Sequence, residues 1–136
     1  MILLDTCTLL WLVTNRAELS AAAVRAIDGT PAVFVSAASA FEIGIKHRQG
    51  NLQLGSAPES WWTAAVERLN LLELSITSAV ALASTALPTE ILVAGRMIEH
   101  KDPGDRFIVA TAATHGLTIV TPDPKIAAYP SSAVLW

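Results

Sequence analysis

Apolar residues along this 136-residue chain fall into short runs of three or four, separated by longer stretches in which they recur at helical spacing. Ile2-Leu3-Leu4 predicts a strand ending at Asp5, and Leu9, Leu10, Leu12 and Val13 then continue as a helix. Ser20 to Asp28 predicts a second helix, with Ser20 as N-cap and Gly29 as its stop. Ala32-Val33-Phe34-Val35 is a buried strand, after which Ser36 or Ser39 caps a helix running through Phe41, Glu42, Ile45 and Lys46 to Gly50. Pro58 opens another helix through Trp61, Trp62 and Val66, a short apolar segment follows at Leu71 to Leu74, and residues 77–87 are helical.

Between Thr89 and His100 the apolar residues share no clean face and Gly95 interrupts them; this stretch is read as helix. Pro103 starts a helix that reaches Thr114 and stops at Gly116, Leu117-Thr118-Ile119-Val120 is a strand, and residues 133–135 form a last one. Short strands alternating with helices predict an α/β three-layer sandwich, with a mainly parallel sheet of four to five strands flanked by helices. Right-handed crossovers put the strand ends on one edge, where ligands of such sheets bind.

At this size about 70% of the unfolded surface can be buried, which fits a single domain over residues 1–136. The one cysteine, Cys7, excludes a disulfide framework and a cysteine-based zinc site, and it fits a reducing compartment. The longest uncharged runs, 74–89 and 107–122, fall short of the roughly 18–20 apolar residues of a membrane span, and the N-terminus has no basic leader. A cytoplasmic location is expected. The formal charge of −3 argues against a nucleic-acid coat or a membrane-surface binder. If four of the twelve acids gathered around cations, however, the remaining surface would carry a slight positive excess.

Those four acids follow strands or lie near the same sheet edge: Asp5, Glu42, Asp105 and Asp123. Clustered anions repel one another in a partly dry cleft unless they hold cations, and an all-oxygen site selects hard ions such as Mg²⁺ or Mn²⁺. Such an ion activates water and stabilises a phosphodiester in transit, so the chemistry implied is metal-assisted phosphodiester hydrolysis. Each acid also has a plain structural reading. Asp102 as N-cap with Asp105 in the first turn stabilises a helix start, Asp123 sits between two prolines as a turn residue, and Glu42 pairs with Lys46 four residues on. Asp5 is the hardest to explain this way, because an acid ending a buried strand needs a partner.

Taken together, Leu3-Leu4-Asp5-Thr6, Leu9-Leu10-Trp11, Ser36 with Glu42-Ile43, His100-Lys101-Asp102-Pro103-Gly104-Asp105-Arg106 and Thr121-Pro122-Asp123 resemble the PIN-domain ribonucleases, in particular the VapC toxins of bacterial toxin–antitoxin pairs. The resemblance spans essentially the whole chain. It implies a parallel sheet between helices, Mg²⁺ or Mn²⁺ dependence, and cleavage of single-stranded or loop RNA restrained by a cognate antitoxin, in a homodimer or a toxin–antitoxin hetero-oligomer. By matching positions Asp5, Glu42, Asp105 and Asp123 are the catalytic, metal-binding acids, Thr6 and Thr121 support them, and Asp102 is a helix cap. Two features depart from the family: Cys7 stands where it often has Asn or His, and the segment 89–101 is longer than its usual approach to the Asp-Pro motif.

Lys46 and Arg106 are the expected contacts to the RNA backbone; His100 and His115 are assigned surface or capping roles. Trp61 and Trp62 cannot both point inward on one helix, so one is expected to cover a partner groove. A phosphatase using its first-strand Asp as nucleophile wants an acid at position 7, and a signalling receiver wants a late strand-end Lys; neither is present. The remaining alternative is a catalytically silent PIN-like module that binds RNA or a protein partner.

Overall fold

Side chains alternate across a strand, so the first three apolar residues divide the molecule into layers. In the computed structural model, which describes all 136 residues, Ile2 and Leu4 of β1 (Ile2–Leu4) pack into one core cluster and Leu3 into another. The first cluster takes Leu9 and Leu12 of α1 (Thr6–Thr14), Ala23 of α2 (Ala21–Gly29) and Trp61 and Ala65 of α4 (Pro58–Arg68). The second takes Ala38 of α3 (Ala37–Arg48), Ile108, Val109 and Ala112 of α6 (Pro103–His115) and Ile126 of α7 (Pro124–Ala127).

The sheet between them is five-stranded, in the order β3 (Leu72–Leu74), β2 (Val33–Ser36), β1, β6 (Thr118–Val120), β7 (Val134–Leu135). Every pairing in it is parallel, with Leu3 opposite Phe34 on one side and Ile119 on the other. From β1 the chain builds outward through β2 and β3, then returns to add β6 and β7 on the other flank. The strand order therefore reverses between β1 and β6, and the crevice at their carboxyl ends is where such sheets bind ligands. This is the expected three-layer α/β architecture.

Caps fix where the helices begin. The hydroxyls of Ser20, Ser36 and Thr77 accept from the backbone N–H of Ala23, Ala38 and Val80, starting α2, α3 and α5 (Ser78–Ala86), and Gly116 ends α6 in the left-handed region at φ 65°.

The helix expected over 89–100 is instead a two-stranded antiparallel hairpin, β4 (Glu90–Val93) and β5 (Arg96–Glu99). Ala94 and Gly95 both have positive φ, 50° and 77°, as the tight two-residue turn of a hairpin requires. Ile91 is buried in the second core cluster while Leu92 and Met97, opposite each other in register, are exposed. Two-fold alternation, not helical periodicity, explains why no single helical face emerged from this segment. No helix of the chain is long and apolar enough to cross a membrane.

Candidate active site

Asp5 ends β1, and its N–H donates to the Val120 carbonyl at 3.2 Å, which ties it to the end of β6. Its Oδ1 accepts from the Thr8 N–H at 2.7 Å, capping α1, and its Oδ2 accepts from the Thr121 hydroxyl. Asp5 is buried, and burial raises its pKa despite these hydrogen bonds, with the Asp123 charge adding to the effect. The Thr121 hydroxyl in turn accepts from the Asp123 N–H at 3.0 Å, and Asp123 caps α7 by accepting from the Lys125 N–H at 2.8 Å. One hydrogen-bonded chain thus links the carboxyl ends of the two strands flanking the switch point.

The remaining acids come from α3 and the start of α6. Glu42 projects from α3 with Lys46 Nζ 3.6 Å from its Oε2. Asp102 caps α6 by accepting from the Asp105 N–H at 3.0 Å, with Pro103 at the first helical position. Glu42, Asp102 and Asp105 each place a carboxylate oxygen so that all three lie within 4.8 Å of one another. Gly104 leaves this spot open, since a Cβ there would come within 3.2 Å of Asp102 Oδ1 and 3.4 Å of Glu42 Oε1. The Asp105 carboxyl is pushed up to about 7, by burial first and then by the charges of Asp102, Glu42, Asp123 and Asp5.

These groups converge on one cavity of about 340 Å³, lined by Asp5, Thr6, Cys7, Glu42, Lys46, Asp102, Asp105, Pro122 and Asp123. Five carboxylates face it against a single lysine. The half-buried Cys7 thiol, raised to about 11 by burial and by the Asp5 charge, stays protonated and adds no further anion. The donor set suits a hard divalent cation: it is all oxygen, and oxygens sharing a cation about 2.0–2.6 Å from each must lie within about 5 Å of one another, a limit that Glu42, Asp102 and Asp105 meet by lying within 4.8 Å.

All four acids singled out in the sequence therefore line one cavity. Thr6 lines it too, its hydroxyl donating to Ser39 at 2.9 Å, and Thr121 reaches it through Asp5. Lys46 stands half-exposed at the rim. Asp102 caps its helix as expected and faces the cavity as well.

Arg106, expected to contact RNA, points the other way. It is buried, and its guanidinium donates at 2.8 Å to each of the Ser84, Leu87 and Pro88 carbonyls, which fastens the end of α5 and the base of the hairpin to α6. Trp61 is the inward-facing member of its pair, while the Trp62 indole N–H donates to Glu73 at 2.8 Å.

His100 was missed. It is buried, not on the surface, and its Nε2 lies 3.1 Å from Asp105 Oδ2. Burial lowers its pKa and the Asp102 charge partly offsets this. The only sequence signal was its place just ahead of the acidic helix start, and the helical reading of 89–100 hid it.

The family model described as PIN domain matches residues 2–131. The chain belongs to the PIN domain family. Ribonuclease VapC22 of Mycobacterium tuberculosis (strain ATCC 25618 / H37Rv) is 31% identical to this PIN domain over 137 residues, covering 99% of the chain and 98% of the relative, so the likeness is of VapC type. A chain of VapBC2 from Rickettsia felis, solved bound to a DNA fragment from its promoter, superposes with a TM-score of 0.68 at 15% identity, with 99% of this chain and 98% of that one covered. A chain of a toxin–antitoxin complex from Klebsiella pneumoniae superposes at 0.62 with 21% identity, covering 100% and 97%. At those identities the two structures speak for the fold.

Proposed function

We propose that this PIN domain, residues 1–136, is a VapC-type toxin: a cytoplasmic endoribonuclease that hydrolyses phosphodiester bonds of single-stranded or loop RNA with a carboxylate-bound divalent metal and is inhibited by a cognate antitoxin. The observation that carries the reading is the convergence of five carboxylates, from four separate parts of the chain, on one cavity at the switch point of the sheet. Likeness to a ribonuclease along the whole chain supports the reaction, and the fold shared with toxin–antitoxin complexes supports the partner.

In this reading Asp5, Glu42, Asp105 and Asp123 are the catalytic, metal-holding acids, and Asp102 joins them through its oxygen in the cluster with Glu42 and Asp105. Bound there, Mg²⁺, with Mn²⁺ as an alternative, would supply a nucleophilic water at neutral pH and would offset charge building on the phosphate. The Thr121 hydroxyl and the Thr8 N–H aim the Asp5 carboxylate and partly offset the effect of burial on it. Thr6 braces the cavity wall through Ser39. Lys46 at the rim meets a backbone phosphate. The attacking water loses a proton to solvent as its oxygen bonds to phosphorus, the phosphorus–oxygen ester bond breaks, and the departing oxygen takes up a proton from solvent.

The test is cleavage of a generic single-stranded RNA by the purified chain. Wild type is expected to cut only with Mg²⁺ or Mn²⁺ present, and Asp5→Asn to lose at least a hundredfold in rate. If wild type shows no metal-dependent cleavage and Asp5→Asn behaves identically, the chain is the silent binding module instead.

A further inference from the structure

His100 follows directly on β5, and its main chain and ring are both held. Its N–H donates to the Thr89 carbonyl at 2.7 Å across the base of the hairpin. Its Nδ1 lies 2.8 Å from the hydroxyl of Tyr129, a residue only 1% exposed, and its Nε2 lies 3.1 Å from Asp105 Oδ2. With Asp105 ionised, as a cation ligand must be, its carboxylate only accepts hydrogen bonds, so Nε2 carries the proton between them and the bare Nδ1 of a neutral ring accepts from the Tyr129 hydroxyl. Arg106 Nη1, 3.4 Å from the Tyr129 oxygen, can only donate, which agrees with that direction. Asp105 itself has two rotatable bonds and shares its space with Glu42 and Asp102, whose like charges repel it.

We infer that His100 is a positioning residue: its ring, locked by Tyr129, grips Asp105 Oδ2 and holds the carboxylate toward Glu42 and Asp102, so that an imidazole delivered by the β4–β5 hairpin sets the cation affinity of the cavity. This rests on the metal-nuclease reading given above. Groups that hold a ligating carboxylate change metal affinity by about 10–100-fold when removed. The effect requires no contact between His100 and the cation.

The experiment is Mn²⁺ titration by calorimetry of the full chain as wild type, His100→Leu, His100→Gln, Tyr129→Phe and Asp105→Asn, with a thermal melt of each. Gln offers an amide N–H near the Nε2 position but cannot reproduce the ring's second bond. His100→Leu is expected to weaken Mn²⁺ binding at least tenfold, His100→Gln to recover affinity to within about threefold of wild type without recovering its melting temperature, and Tyr129→Phe to lose about three- to tenfold. A purely structural role would make affinity follow melting temperature through the series. Wild-type affinity in His100→Leu, or no recovery in His100→Gln, overturns the inference. Should His100→Leu not fold, Tyr129→Phe decides, since it keeps the apolar ring and deletes only the hydroxyl; unchanged affinity there also overturns it. If Asp105→Asn loses binding while the His100 variants do not, this positioning role alone falls; if wild type binds no Mn²⁺, the metal-nuclease reading falls with it.

Discussion

Asp105 is crowded enough for its discomfort to be measured. Its carboxyl is pushed from the usual carboxylate range to about 7 by burial and by four neighbouring acids, so without metal the folded state holds this proton more tightly than the unfolded chain. The folded state is favoured by that proton in acid and loses the advantage as pH rises from about 4 through 7. In EDTA, Asp105→Asn is expected to melt a few degrees above wild type at pH 8 and to converge with it near pH 4; a variant less stable at pH 8 would show that the acids do not crowd. Arg106 and Lys46 separate in the same kind of measurement. Arg106→Ala strands three carbonyls that share its guanidinium and should cost about 3 kcal/mol or more, a loss of over ~10 °C in Tm. Lys46→Ala should leave Tm within about 2 °C while weakening RNA binding, with a shallower salt dependence. Asp5 was legible in the sequence because an acid ending a buried strand needs a partner, whereas Glu42 and Asp105, inside helices, and Asp123, between two prolines, stood out only as members of a set. Arg106 was not legible, because the carbonyls it satisfies belong to Ser84, Leu87 and Pro88, and no local pattern brings that turn to α6. Charge alone reads the same for a clamp and for an RNA contact.

Among the elements, the legible ones announce their ends locally. Ser20, Thr77, Asp102 and Gly116 each mark a helix boundary with their own side chain or backbone freedom, and the structure uses all four. Ser36 and Ser39 were equivalent as caps of α3. The Ala38 N–H chose Ser36, while Ser39 accepts from Thr6, a contact made only once β1 and β2 lie side by side. The hairpin was illegible for a related reason: its turn places alanine, not Asn, Asp or Gly, at the first left-handed position, so the usual mark of a tight hairpin is missing. That choice is strained. A non-glycine residue in this region costs about 1–2 kcal/mol, and asparagine tolerates it better. Ala94→Asn is therefore expected to raise Tm by about 2–5 °C. Because the hairpin carries His100 to Asp105, the same substitution should leave Mn²⁺ affinity unchanged, the loop being tightened without moving its base. A drop in Tm would mean that Ala94 is held in place by something other than the turn.

Over the whole molecule, folding sorts charge. Five of the twelve acids and one of the nine lysines and arginines line one cavity, so elsewhere eight basic residues meet seven acids, and a chain of net charge −3 presents an anionic basin in a weakly basic shell. A phosphodiester is repelled from that basin until a cation fills it, and the same repulsion opposes folding when the cation is absent. A ligand bound only by the folded state stabilises it by about 2.7 kcal/mol at a hundred times its dissociation constant, roughly 10 °C for a chain of this length. Two opposing effects therefore meet at Asp105: its charge destabilises the empty cavity and strengthens the filled one. With Mn²⁺ titrated into wild type and Asp105→Asn at pH 8 and low ionic strength, the melting curves are expected to cross. The variant is more stable in EDTA, and wild type climbs by about 10 °C and overtakes it as Mn²⁺ rises. Added salt should compress the gap in EDTA, because screening replaces part of what the cation does. Two curves that stay parallel over the titration would mean that the cavity gathers acids without using them to hold a cation.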